Sequence, residues 1–216
     1  MKSLSRLLLL TSLLAFTGMA AAAGDAAAGK TKAAACAGCH GPDGNAPAAQ
    51  FPRLAGQGVR YLVKQMQDFK AAKLDKDGHC AAGRCDATMQ GMVAGLSEQD
   101  MADIAAHYAA QKPKIGQADP ALVKRGEHLY RGGDKNRGLP SCMGCHGPDG
   151  NGNAPAGYPR LGGQHADYTV KQMRAFQTRD RANDPNNIMR DIASRMEPDE
   201  IKAVASYVQG LHHERD

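Results

Sequence analysis

Cys36-Ala37-Gly38-Cys39-His40-Gly41-Pro42-Asp43-Gly44-Asn45 returns as Cys142-Met143-Gly144-Cys145-His146-Gly147-Pro148-Asp149-Gly150-Asn151, 106 residues later. The likeness extends outward on both copies. Phe51-Pro52-Arg53-Leu54-Ala55-Gly56-Gln57 matches Tyr158-Pro159-Arg160-Leu161-Gly162-Gly163-Gln164 at an offset of 107, and Lys64-Gln65-Met66 matches Lys171-Gln172-Met173 at the same offset. Near the end of each half the offset becomes 100, where Leu96, Met101 and Ile104 face Met196, Ile201 and Val204. A period this long belongs to tandem domains, not to a solenoid. The joint is expected around Lys112-Pro113-Lys114-Ile115-Gly116-Gln117-Ala118-Asp119-Pro120, a polar stretch with two prolines and a glycine.

Cys-x-x-Cys followed directly by His is the attachment pattern of a c-type haem. Three residues of spacing bring both sulfurs to one edge of a porphyrin, and the adjoining imidazole then reaches the ring centre. Cys36, Cys39, Cys142 and Cys145 are therefore expected to carry two covalently attached haem c groups, with His40 and His146 on iron. Other chemistries fit less well. A thioredoxin-like motif needs a strand before it in a βαβ unit, and none is legible. A zinc site needs further ligands at matching spacing, and the remaining cysteines, Cys80 and Cys85, have no counterpart in the second copy. A disulfide across Cys36 and Cys39 leaves the duplicated His unexplained.

Composition agrees. Lys2 and Arg6, the run Leu7 to Leu10, Leu13 to Phe16 and the small residues Ala20 to Ala23 read as a signal peptide, expected to be cleaved near Ala23. That leaves roughly 193 residues, enough for one or two domains. No later segment has the apolar length of a membrane span, so periplasmic export is expected, with at most peripheral membrane contact. The 27 basic and 22 acidic residues are spread through both halves, which argues against nucleic acid as a partner. Only 5% of residues are aromatic and there is no Trp. Two small domains need additional apolar bulk, and a haem in each supplies it.

The expected fold is all-α, with no convincing strand. Val59, Leu62, Val63 and Met66 form one apolar helical stripe, and Ala166, Thr169, Val170 and Met173 a weaker one. Ser97 is an expected N-cap with Asp100 at N3, and Leu96 with Met101 form a staple. Pro198 suits the first position of the last helix. The repeat sorts the methionines, one of which is the expected sixth ligand of each iron. Met92, Met101 and Met196 face aliphatic residues, so core packing accounts for them. Met66 and Met173 sit on apolar stripes. Met89 faces Met189 in the stretch before each last helix, with no stripe to explain them, and these two are the favoured ligands; Met92 is the main rival. His79, His107, His128, His165, His212 and His213 have no repeat partner and read as solvated or packing residues. Cys80 and Cys85 lie in a loop seven residues longer than its counterpart; a disulfide, free thiols or a redox-labile pair all remain open. Arg53 and Arg160 read as bidentate partners of haem propionates.

With two attachment segments, two Pro-Arg-Leu-x-Gly-Gln segments and a Met before each final helix, the chain resembles the cytochrome c4 family of exported dihaem carriers. The resemblance implies two class I cytochrome c domains, with propionates near their interface. It implies axial pairs His40/Met89 and His146/Met189, and Pro52 and Pro159 carbonyls accepting from the imidazoles. The expected division is 1–23 signal peptide, 24–113 first domain, 114–119 linker and 120–216 second domain. The expected function is a carrier in the respiratory chain, between a quinol-oxidising complex and a terminal oxidase, and not an enzyme. A dihaem peroxidase or a haem subunit of a sulfur-compound dehydrogenase is the alternative. The Cys80/Cys85 hairpin departs from the family pattern.

Overall fold

Gly29 and Gly126 set how closely each half packs. The structure is a computed structural model and describes residues 23–212, so the leader lies almost wholly outside the described residues, as does His213. The first half comprises α1 (Ala26–Lys32), α2 (Ala37–His40), α3 (Val59–Lys70), α4 (Ala87–Val93) and α5 (Glu98–Ala109). The second repeats the order as α6 (Pro120–Gly132), α7 (Met143–His146), α8 (Ala166–Thr178), α9 (Ile188–Ser194) and α10 (Pro198–Gly210). In each half the first helix crosses the last, α1 on α5 and α6 on α10. At those crossings a Cβ on Gly29 would stand 1.9 Å from the Asp103 carbonyl oxygen, and one on Gly126 2.3 Å from that of Ala203. Any side chain there would force the helices apart, which outweighs the roughly 0.5–1 kcal/mol that a helical glycine costs.

The helix ends follow the sequence. Ser97 accepts from the Asp100 N–H while Asp100 accepts from the Ser97 N–H, a reciprocal capping box. Glu197 and Glu200 make the equivalent box on α10, with Pro198 in its first turn. Asp25 and Asp119 cap α1 and α6.

The first core gathers Ala33, Leu62, Ile104, Ala105 and Tyr108, with Cys36, Leu54, Val63 and Met66 against it. The second is larger: Leu129, Tyr130, Leu139, Met196, Ile201, Val204, Tyr207, Val208 and Leu211, with Cys142 and Met173 alongside. Met101 and Met196 are core residues, as their aliphatic counterparts imply.

The fold is mostly helical as expected, with a small antiparallel hairpin, β1 (Lys73–Leu74) with β2 (Cys80–Ala82), in the loop that is seven residues longer than its counterpart. The hairpin is too short to show alternation, and the turn comes from Asp75, whose carboxylate accepts from the Asp77 and His79 N–H groups, and from Gly78 at φ +85°. Met92 is 41% exposed, not core. Val59 is also exposed, because α3 buries the face that carries Leu62, Gln65 and Phe69.

Candidate functional site

Each Cys-x-x-Cys-His segment folds as a single helical turn. Cys36 stands at the N-cap of α2 and Cys142 at that of α7. The second cysteine and the histidine follow within the turn, so both sulfurs project from one short element. Among the described residues no strand leads directly into either segment and no βαβ unit surrounds it, which removes the thioredoxin-like alternative. None of the four cysteines is in a disulfide, and all are half-buried. Burial pushes the Cys142 thiol up to about 11 and raises Cys36 as well.

His40 and His146 are buried. His40 Nδ1 lies 2.9 Å from the Pro52 carbonyl oxygen and His146 Nδ1 lies 2.9 Å from that of Pro159. A carbonyl only accepts, so Nδ1 carries the proton and Nε2 keeps the lone pair that a metal needs. Burial pushes both imidazoles below their ordinary range, against the pull of the carbonyls. The rings are thus held neutral and oriented. Phe51 and Tyr158 meet them edge-on, with centroids 6.4 and 6.2 Å away.

Met89 and Met189 are half-buried. They lie in the stretch before each last helix, in the first turns of α4 and α9. The ends of these helices are held differently. Asp86 caps α4 and accepts from the Met89 N–H at 3.1 Å. Asn187 gives α9 no side-chain cap; Asp184 instead accepts from the Arg190 N–H at 3.0 Å and from Nε at 2.7 Å.

The duplicated Pro-Arg-Leu-x-Gly-Gln segments form the contact between the halves. Gln164 Oε1 accepts from the Arg53 N–H at 2.9 Å and its Nε2 donates to the Arg53 carbonyl at 3.0 Å. Gln57 makes the same pair with Arg160, at 2.8 and 3.0 Å. This is a two-fold exchange, with each glutamine clasping the other half's arginine backbone. His165, buried, adds a contact from Nε2 to the Ala46 carbonyl at 2.8 Å. The arginine side chains are less free than the propionate reading assumes. Arg53 donates through Nη1 to the Lys114 and Gly163 carbonyls, while Arg160 donates to the Gly162 carbonyl and to Asn151.

A second quasi-symmetric cluster joins α3 to α8. Arg84 and Arg181, both buried, meet in an antiparallel bridge. Arg84 reaches Gln65, Tyr168 and Gln172 at 2.8, 2.9 and 2.8 Å, and Arg181 reaches Gln172, Tyr61 and Gln65 at 2.9, 3.0 and 3.1 Å. Each guanidinium also stacks on its own half's aromatic ring, Phe69 at 4.6 Å or Phe176 at 4.5 Å. Burial alone would raise the Tyr61 hydroxyl, but Arg181 and Arg84 more than reverse that and hold it below its ordinary range. The sequence reading missed this cluster. Its signal was present, since Tyr61, Gln65 and Phe69 recur as Tyr168, Gln172 and Phe176 at the offset of 107.

The residues fit a covalently attached haem. Two thiols and an imidazole with a free Nε2 stand on one turn beside each core. Among the described residues, the Tyr108 hydroxyl and Arg53 Nε are buried without a hydrogen-bond partner, as expected where polar groups await an acceptor. Among the described residues, no cluster of three or more His, Cys, Asp or Glu side chains could hold a bare metal ion.

Fold and site together define a c-type haem protein built twice in one chain. The cytochrome c family matches residues 26–109 and 123–212. Cytochrome c4 of Azotobacter vinelandii is 56% identical over 187 residues, which are 86% of this chain and 88% of that one. A crystal structure of reduced recombinant cytochrome c4 from Pseudomonas stutzeri superposes with a TM-score of 0.84 at 52% identity, covering 88% of this chain and all of that one. A thiosulfate dehydrogenase electron acceptor of Stutzerimonas stutzeri is 39% identical over 180 residues, 81% of this chain and 78% of that one. The chain belongs to the cytochrome c family, and within it to the cytochrome c4 proteins. It is a dihaem electron carrier with two covalently bound haem c groups, working with redox partners and not as an enzyme.

Proposed function

We propose that this carrier works in the periplasm, taking electrons from a quinol-oxidising complex and delivering them to a terminal oxidase. In this reading residues 1–23 are the cleaved leader, and domains 24–113 and 120–216 are joined by the linker 114–119. Among the described residues no helix is long and apolar enough to cross a membrane, which accords with a carrier that meets its partners by diffusion. Cys36, Cys39, Cys142 and Cys145 hold the two haems, and the iron ligands are His40 with Met89 and His146 with Met189. When bound, the haem supplies a one-electron centre in each domain.

The chain's own residues do the rest. Pro52 and Pro159 fix the imidazole tautomer, leaving each Nε2 free for iron. The methionine thioether, a soft and weakly basic ligand, favours the reduced state and raises the potential. The Gln57 and Gln164 clasps hold the two centres in one relative position, so an electron crosses without domain rearrangement. The observation that carries the reading is the twofold recurrence of a buried, neutral histidine behind a paired-thiol turn. The near-balanced charge suits weak, transient docking.

The similarity to a thiosulfate dehydrogenase electron acceptor favours a second reading, in which the donor is a sulfur-compound dehydrogenase. Redox titration with absorption spectra on Met89→Ala and Met189→Ala tests the ligand set. Each variant is expected to lose about half of the Met-ligated ferric absorbance and to lower one potential. Two unaltered centres in both variants would refute it. Reduction assays of the purified holoprotein with a quinol-oxidising complex and with a thiosulfate-oxidising enzyme separate the two donors.

A further inference from the structure

Cys80 and Cys85 are joined by a disulfide that the second domain lacks. The bond closes Ala81-Ala82-Gly83-Arg84, and its position connects three features. On one side is the hairpin β1–β2, which is exposed from Lys73 to His79 apart from its ladder, with Leu74 59% exposed. Immediately inside the ring is Arg84, the buried guanidinium that reaches Tyr168 and Gln172 of the second domain. Immediately after it is Asp86, whose carboxylate caps α4 and accepts from the Met89 N–H.

The second domain anchors the corresponding elements without a covalent tie. Arg181 follows Arg179 and Asp180 directly, and Asp184 steadies the start of α9 through Arg190. Among the described residues, the first domain alone places a reducible bond between its surface and the segment that carries Met89. Arg84 also donates its backbone N–H to the Asp68 carbonyl at 2.9 Å, so the ring is pinned to the end of α3 as well.

We propose that Cys80–Cys85 is a thiol–disulfide modification site whose state sets the firmness of Met89 and of the domain contact at Arg84. The co-reactant is a dithiol, a small molecule or a protein with paired cysteines. One thiolate of the dithiol attacks a sulfur of the pair, the S–S bond breaks, and a mixed disulfide forms while the departing cysteine takes a proton. The second thiol of the reductant then displaces the other cysteine. The chain gains two electrons and two protons as two thiols, and the dithiol becomes a disulfide. Opening the ring frees the Arg84-Cys85-Asp86 segment, so the cap on α4 weakens while α9 is untouched. The effect is confined to one of two otherwise similar centres. This inference rests on the reading of Met89 as an iron ligand.

The test uses the holoprotein. It is reduced with dithiothreitol, alkylated with iodoacetamide, and its haems are then reoxidised with ferricyanide; mass spectrometry counts the alkylated thiols. Cys80→Ser/Cys85→Ser is made in parallel, and both forms are also prepared in a Met189→Ala background, where the first domain alone supplies Met-ligated absorbance. Expected are two added alkyl groups, a fall of about twofold or more in that absorbance in the Met189→Ala background, a lower potential for the first centre and an unchanged one for the second. A disulfide that resists dithiothreitol in the native protein, or opened forms that keep the parent absorbance and both potentials, overturns the proposal. Met89→Ala separates the two readings. If it retains the full absorbance, the ligand assignment has failed; if it removes half and opening the ring changes nothing, only the disulfide proposal has failed.

Discussion

A single proton on His40 Nδ1, held by the Pro52 carbonyl, decides that Nε2 keeps its lone pair. The same economy governs Glu200, whose carboxylate is buried. It accepts from Arg137 Nη1 and Nη2 at 2.9 and 2.7 Å and from the Glu197 N–H at 2.9 Å. The Arg137 guanidinium, outweighing the opposing effect of burial, holds Glu200 below the usual carboxylate range. A folded-state value below the unfolded one means that the unfolded chain binds protons first. The contribution is thus complete above about pH 4.5, near the ordinary glutamate value, and is lost as the pH falls through the folded value. Glu200→Gln is expected to lower stability by about 1 kcal/mol at pH 7 and to flatten the decline of Tm below about pH 4.5. Thermal melts between pH 3 and 7, taken roughly in half-unit steps, check both; an unchanged acid limb would contradict the assignment.

Helix ends were the elements most open to reading in advance. Ser97 with Asp100, and Pro198 after Glu197, announce α5 and α10 because capping chemistry is local. Ser97→Ala is expected to cost about 1 kcal/mol, seen as a lower denaturation midpoint at constant slope. The two short helices carrying Met89 and Met189 were not legible as helices, since seven residues are too few for a periodic stripe. Their starts also use unlike devices, an Asp86 cap in one and an Asp184–Arg190 ion pair in the other. The hairpin escaped for the same reason of length. Its disulfide was one of three open possibilities, and the structure forms it.

At the scale of the molecule the duplication becomes an interface. Gln57 and Gln164 each make two hydrogen bonds across it, and Arg84 with Arg181 buries two guanidiniums on neutral acceptors. Truncating Gln57 and Gln164 leaves the part-buried backbone N–H and C=O groups of Arg160 and Arg53 unpaired. Gln57→Ala/Gln164→Ala is therefore expected to loosen the domain contact while leaving both haem centres spectroscopically intact. Flash-induced electron transfer between the haems should slow by about tenfold or more, because a small misplacement of the centres is costly. Equal rates in parent and variant would show that the clasps do not set the geometry. The prolines and glycine of 113–120 mark the joint, but a joint says nothing of what lies across it.

The attachment chemistry is legible along the chain alone. Adjacent Cys, Cys and His, repeated once, leave little choice of cofactor, and the offsets of 106, 107 and 100 fix two like domains. Those signals are local, or are comparisons of the chain with itself. Packing in three dimensions is what sets the repeated glutamines on the opposite half's arginine backbones, gives Arg84 and Arg181 the same acceptors and leaves Met92 open to solvent. Those outcomes depend on how two packed units meet. Periodicity along one helix cannot encode that, because the partner surface is supplied by residues about a hundred positions away.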